Sequence, residues 1–318
     1  MLDILSITGP IYIIIALGFA ATRLGRFAKA DMGVIGKFVV NFALPALLFK
    51  SLSQRPIGEI LNSSYLLAYV TGTLCVIGSG YFWSRRLARL DSTTSTIYIM
   101  GMSCSNSAFV GYPILLLTMA PISGVALALN MTLENVAIIP LLLVMADRSC
   151  DKPDRWYRVV GQSFKRLASN PIFIAIFAGV GVSIAGWTLP AALVQTVSML
   201  ALASGALALF VIGGTLVGLP TQGLGKRVAP IVLGKLVFHP LAVLTAIHLL
   251  PMVGLPRLEG PLATAAVLMA AMPMMSMYTI LAQIYRREEI AAAAMLVTTV
   301  CSFFTISGLL VLLQPFPI

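Results

Sequence analysis

The chain has 318 residues, 59% of them hydrophobic and only 10% charged, with a mean hydropathy of +0.97. Soluble domains carry about 25% charged residues, so a water-soluble fold is excluded. The net charge of +10 does not point to nucleic acid, because the basic residues are scattered among short connections with no folded domain to present them. The four cysteines, Cys75, Cys104, Cys150 and Cys301, have neither a disulfide framework nor metal-ligand spacing.

A helix crosses the hydrocarbon with about 20 apolar residues. The sequence predicts ten such segments, at 4–22, 33–52, 61–83, 95–119, 122–145, 171–187, 190–217, 228–250, 261–284 and 290–313. Most lack the alternation of a membrane barrel strand. The fold class is therefore all-α integral membrane. Asp3 stands near the N-terminus with no basic residue beside it, unlike the n-region of a signal peptide, so segment 1 is expected to be retained.

The basic residues set an expected topology. Connections after segments 1, 3, 5, 7 and 9 hold Arg23, Arg26, Lys29, Arg85, Arg86, Arg89, Arg148, Lys152, Arg155, Arg158, Lys165, Arg166, Lys226, Arg227, Arg286 and Arg287, which is 16 of the 21. The opposite side holds Lys50, Arg55 and Arg257. Cytoplasmic loops carry the Lys/Arg excess, which predicts a cytoplasmic 147–170 connection and both termini outside the cell.

Two halves emerge at an offset of 160–161 residues. Gly9-Pro10-Ile11 falls on Asn170-Pro171-Ile172, Gly18 on Gly179, Gly25 on Gly186, Leu48-Phe49 on Leu209-Phe210 and Pro113 on Pro273. Five segments per half is an odd number, so the second half enters from the other side and the repeats are inverted. The expected organisation is a first five-helix repeat over 1–146, a solvated cytoplasmic linker over 147–170 and a second repeat over 171–318.

Pro113 and Pro273 lie inside segments 4 and 9. A proline inside a helix removes a hydrogen bond and clashes with the preceding turn. In hydrocarbon such a break is tolerated where it lines a cavity or is buried in protein. Segments 4 and 9 are thus expected to be broken at these prolines and to cross near the midplane. Their half-helix N-termini would bind an anion without basic side chains.

At these residues the chain resembles the auxin efflux carrier family. The matching pieces are Asn41 to Phe49 in segment 2, Asn106 to Pro113 in segment 4, Gly234-Lys235-Leu236 with Pro240 in segment 8, and Ala271-Met272-Pro273 through Tyr285 in segment 9. The resemblance spans the whole chain. It implies a fold like those of the bile-acid symporters and sodium/proton antiporters. A scaffold of segments 1, 2, 6 and 7 would pair two protomers. A transport unit of segments 3–5 and 8–10 would move as an elevator, with a substrate carboxylate held at the crossover. The short linker is that of bacterial members, which implies the inner membrane.

The substrate-site candidates are Ser105, Asn106, Ser107, Gly111, Tyr112, Pro113, Pro273, Ser276 and Tyr278. The amide of Asn106 and the serine hydroxyls supply donors, and the tyrosines would line the cavity. Glu134, central in segment 5, would cost roughly 2.5–3.5 kcal/mol unpaired in a membrane. Lys235 and His239 stand one turn apart on one face of segment 8. These three are the candidates for ion coupling.

The functional expectation is a secondary carrier of small organic acids, mono- or dicarboxylates, embedded in the lipid bilayer, with proton or sodium coupling open and no cofactor. The alternatives are a sodium- or proton-coupled symporter or antiporter of the bile-acid-symporter type and a membrane sensor that binds without transport. The sequence has no HExxH, CxxC or Walker motif, so neither an enzyme nor an ATP-driven pump is expected.

Overall fold

The computed structural model describes residues 2–56, 58, 62–147, 156–218, 225–258, 260–275 and 277–313. Among these residues all regular structure is helical. Among the described residues, six helices are long and apolar enough to cross a membrane, or seven if one bent pair counts as a single span.

The chain divides into two compact units. The first comprises Met1–Asn62, Ala108–Thr132 and Lys165–Val217, and the second Ser63–Ser107, Leu133–Phe164 and Gly218–Ile318. In chain order the helices are α1 (Leu2–Arg23), α2 (Lys29–Ser53), α3 (Ser63–Leu87), α4 (Ser92–Ser103), α5 (Tyr112–Leu133), α6 (Ile139–Asp147) and α7 (Trp156–Ala168). They continue as α8 (Pro171–Ala185), α9 (Ala191–Thr215), α10 (Gly225–Leu233), α11 (His239–Leu249), α12 (Pro261–Ala270), α13 (Tyr278–Ile284) and α14 (Glu288–Leu313). The segment expected at 4–22 is the apolar part of α1. The one at 261–284 is split into α12 and α13.

In the first unit α1 packs on α9 and α8 packs on α2. Both contacts close over a glycine. A Cβ on Gly18 would strike the carbonyl of Phe210, and one on Gly179 would lie 3.0 Å from the carbonyl oxygen of Phe49. Small residues let membrane helices approach backbone to backbone. The two contacts are related by the 161-residue offset of the sequence, since Gly18 answers to Gly179 and Phe49 to Phe210.

The second unit packs α3 on α11, where Gly72 faces the backbone of Val243. Its core gathers Ile97, Ile99 and Met100 of α4 with Ile231, Met274 and Tyr278. Asp91 caps α4, accepting from the Thr94 N–H at 3.0 Å. Arg287 reaches the same turn, donating to the Thr94 hydroxyl at 2.8 Å and pairing with Asp91 at 3.6 Å. Partial burial raises the Asp91 pKa, but the Thr94 hydrogen bonds and Arg287 outweigh it and hold the carboxyl below its usual range.

Two breaks shape the second unit. Cys104 turns extended (φ −88°, ψ 133°) after α4, and the chain resumes as a π-helical turn over Ser107–Gly111 that runs into α5. The other break follows α12, where residues 271–275 leave the helix, and Met277 is the N-cap of α13. Pro273 lies in its break, whereas the first break precedes Pro113 instead of falling at it. Pro113 is the second residue of α5 and follows the widened π turn. A proline is tolerated in the first turn of a helix, where its missing N–H is not needed.

A second kink divides the 56-residue apolar run Ser92–Asp147, which holds the expected segments 4 and 5. Met119 leaves helical geometry (φ −145°, ψ 53°) two residues before Pro121. Within the 147–170 connection, Trp156–Ala168 forms α7.

Alanine at Gly18 or Gly179 should lower the melting temperature of the detergent-solubilised protein by an overpacking cost of about 1–3 kcal/mol. Gly18→Ala should be the more severe. At Gly181, also in α8, an added Cβ meets nothing within 4 Å, so Gly181→Ala should be neutral or stabilising. Thermal size-exclusion assays of the three variants check this, and equal behaviour would remove the packing argument.

Candidate functional site

The two breaks meet in the second unit. The Asn106 N–H, inside the first break, donates to the Pro273 carbonyl inside the second at 2.7 Å. This single backbone bond is the crossover, and the Asn106 side chain beside it is buried.

Around the crossover lies a closed polar network. Lys235 is 0% exposed, and its ammonium donates to Ser105 Oγ at 2.6 Å and to the Ala270 carbonyl at 3.0 Å. The Ser105 N–H donates to Glu134 Oε1 at 2.9 Å, and the Ser107 hydroxyl faces Oε2 at 3.5 Å. Ser105 therefore joins the two charges, holding the carboxylate with its backbone and the ammonium with its side chain.

The placement answers the electrostatics of broken helices. Ala270 ends α12, where unpaired carbonyls carry partial negative charge, and Lys235 sits on that end. Ser105 precedes the turn from which the chain becomes helical again, where N–H groups carry partial positive charge, and Glu134 sits there. Each buried charge is thus paired with a helix end of opposite sign.

Both charged residues lie in π-helical turns, Glu134 opening Glu134–Ile138 and Lys235 lying in Gly234–Phe238. Such bulges in helices frequently mark functional sites.

His239 completes the network. Its Nδ1 lies 2.8 Å from Lys235 Nζ and its Nε2 lies 3.0 Å from Thr73 Oγ1. Thr73 donates its own proton to the Tyr69 carbonyl at 2.8 Å, so it accepts from His239. Lysine has only donors, so Nδ1 accepts. The ring is therefore assigned as the Nε2–H tautomer. Tyr69 bonds Ser105 Oγ at 3.0 Å and meets the imidazole edge-to-face at 5.6 Å.

The structure thus brings together Ser105, Ser107, Glu134, Lys235 and His239, and sets Asn106 and Pro273 directly beside them. Tyr278 is buried, with its hydroxyl donating to the Ile97 carbonyl at 3.1 Å. Ser276 lies outside the described residues. Gly111, Tyr112 and Pro113 belong to the first unit, where the Pro113 ring faces Gly205. Tyr69 and Thr73 were missed by the sequence reading. Both are hydroxyl residues of α3 at i, i+4, a spacing that puts them on one face.

The first unit has a cavity of its own, about 550 Å³, between α2, α5 and α9. Lys50, Gln54 and Arg55 line it with Tyr112 and Ser123, and the Arg55 guanidinium donates to the Pro121 carbonyl beside the Met119 kink. Two cations in one cavity favour an anion.

The membrane transport protein family matches residues 7–310. The chain belongs to this family, that of the auxin efflux carriers. It is a multi-pass membrane transporter and not an enzyme. Among its relatives is a protein of Rhizobium meliloti (strain 1021) named "Putative malonate transporter", 29% identical over 99% of this chain and 97% of that one. An "Uncharacterized transporter YfdV" of Escherichia coli (strain K12) is 25% identical over 74% of this chain and 75% of its own. An "Uncharacterized transporter" of Methanothermobacter thermautotrophicus is 30% identical over 33% of this chain and 34% of its own.

Removing one member of a buried charge system leaves the other uncompensated, at a cost of about 3–5 kcal/mol. Lys235→Met should therefore destabilise this carrier strongly. Lys235→Met combined with Glu134→Gln should cost less than the two single changes added together. Thermal unfolding of the three variants in detergent measures the coupling, and strict additivity would mean that Ser105 does not link the two charges.

Proposed function

We propose that this carrier moves small organic anions, mono- or dicarboxylates of malonate size, by binding a carboxylate where the two broken helices cross. The observation that carries the reading is the Asn106–Pro273 crossover with Glu134 and Lys235 locked to its helix ends. Family membership supplies the transport, and the Rhizobium relative's name suggests the substrate class.

Glu134 already occupies the Ser105 N–H with a carboxylate. A substrate carboxylate has the same chemistry and competes for the same donor. Protonating Glu134 removes the charge that holds it there and releases the N–H. Substrate and proton then bind together, so a monocarboxylate leaves the net charge at the crossover unchanged and a dicarboxylate adds one negative charge. This couples uptake to a proton without any further residue. The cationic cavity bearing Lys50 and Arg55 supports anion entry on electrostatic grounds.

The ten-segment inverted repeat belongs to the same proposal. The matched contacts Gly18–Phe210 and Gly179–Phe49 support it, being one contact written twice at the repeat offset. Segments 1, 2, 6 and 7 would form the scaffold, pairing two protomers. Segments 3–5 and 8–10 would move in an elevator step.

Proteoliposome uptake of labelled malonate and of a monocarboxylate, with membrane potential, proton gradient and sodium gradient set separately, tests the reading. Saturable uptake should follow the proton gradient. Asn106→Ala should reduce it by at least about tenfold, a loss of some 1.4 kcal/mol of binding. Glu134→Gln is destabilised by the uncompensated Lys235, and in the fraction that folds uptake should no longer depend on pH. Absence of flux with folded protein would favour a sensor, and a requirement for sodium would overturn the proton step.

A further inference from the structure

The 147–170 connection holds a helix whose two faces differ sharply. At about 100° per residue, Arg158, Gln162, Lys165 and Arg166 of α7 fall on one arc, and Tyr157, Val160, Phe164 and Leu167 fall opposite. No acidic residue interrupts Trp156–Ala168. Lys165 and Arg166 are exposed, and Tyr157 and Phe164 each remain 47% exposed. A helix that keeps aromatic side chains half uncovered, with cations behind them, is not shaped for bulk water.

Its surroundings say what covers it. Ser169 ends α7 by donating back to the Lys165 carbonyl at 3.0 Å. Asn170 then starts α8, its side chain accepting from the Ile172 N–H at 3.0 Å with Pro171 in the first turn. The chain bends by 62° between the two helices. α8 is an apolar helix of 15 residues. So α7 reaches the point where the chain enters the apolar layer and turns aside instead of running straight in.

We propose that α7 is an interfacial helix that binds the anionic headgroup surface of the bilayer. Phe164, Tyr157, Val160 and Leu167 lie at the acyl boundary, and Lys165, Arg166 and Arg158 face the lipid phosphates. Strong amphipathicity with a basic polar face and aromatic residues opposite is the pattern of helices lying in the membrane plane. Charge complementarity selects anionic lipid over zwitterionic lipid. The proposal is independent of the transported substrate.

The test uses the full chain reconstituted in vesicles of phosphatidylcholine alone or with phosphatidylglycerol. In a background with the four cysteines changed to serine, Phe164→Cys and Lys165→Cys each carry a nitroxide. Accessibility to oxygen and to a water-soluble nickel chelate then reports depth. Position 164 should be immersed and position 165 in water, with immersion of 164 greater when phosphatidylglycerol is present. Lys165→Gln with Arg166→Gln should remove that lipid dependence from position 164. Hydrogen exchange of the unaltered protein provides a reading that needs no substitution. Amides of 157–168 should exchange roughly threefold or more slowly in phosphatidylglycerol vesicles. Equal water access at both positions would overturn the proposal. So would lipid-independent exchange, or shielding of 164 from both probes, which would mean that a second protein surface covers it.

Discussion

The crossover depends on one serine. Ser105 stands in the break after α4, and its backbone and side chain hold opposite charges. A broken helix in hydrocarbon exposes carbonyls at one end and N–H groups at the other. Each unsatisfied group there costs several kcal/mol. Glu134 and Lys235 answer the two ends, and Ser105 ties the answers together. Without this arrangement two interrupted helices could not meet in the apolar layer.

Function follows from the same arrangement. A site whose donor is already held by the protein's own carboxylate is closed to a second anion until that carboxylate is neutralised or displaced. The network supports the fold, and under the proposed function it is also where a proton and an organic acid would meet. His239, Thr73 and Tyr69 orient the ammonium from the other side, so the Lys235 side chain has no slack. Fully satisfied buried networks of this kind specify one geometry, as a binding site requires.

The first unit works by different means. Its helices meet through glycine, with backbone against backbone and no buried charge pair among the interactions described. Packing of that kind makes a rigid element and leaves the ionisable residues to the second unit. Two of its cations, Lys50 and Arg55, line its cavity.

Composition alone determined that the chain lives in a bilayer, because no soluble fold buries so much apolar surface. The internal offset, the interruption near residues 105–113 and at 273, and the isolated Glu134, Lys235 and His239 were also legible, since charge and proline are rare and costly in such helices. Tertiary structure decided the rest. Pro113 looked like the breakpoint because proline breaks helices, yet a π turn lets it sit at a helix start and the break falls at Cys104–Asn106. Glu134 and Lys235 are 101 positions apart, and Ser105 joins them only because two breaks bring three distant stretches together. Hydropathy reports depth in the membrane. It carries no record of which polar group meets which, because that pairing arises from helix packing and is absent from any local pattern.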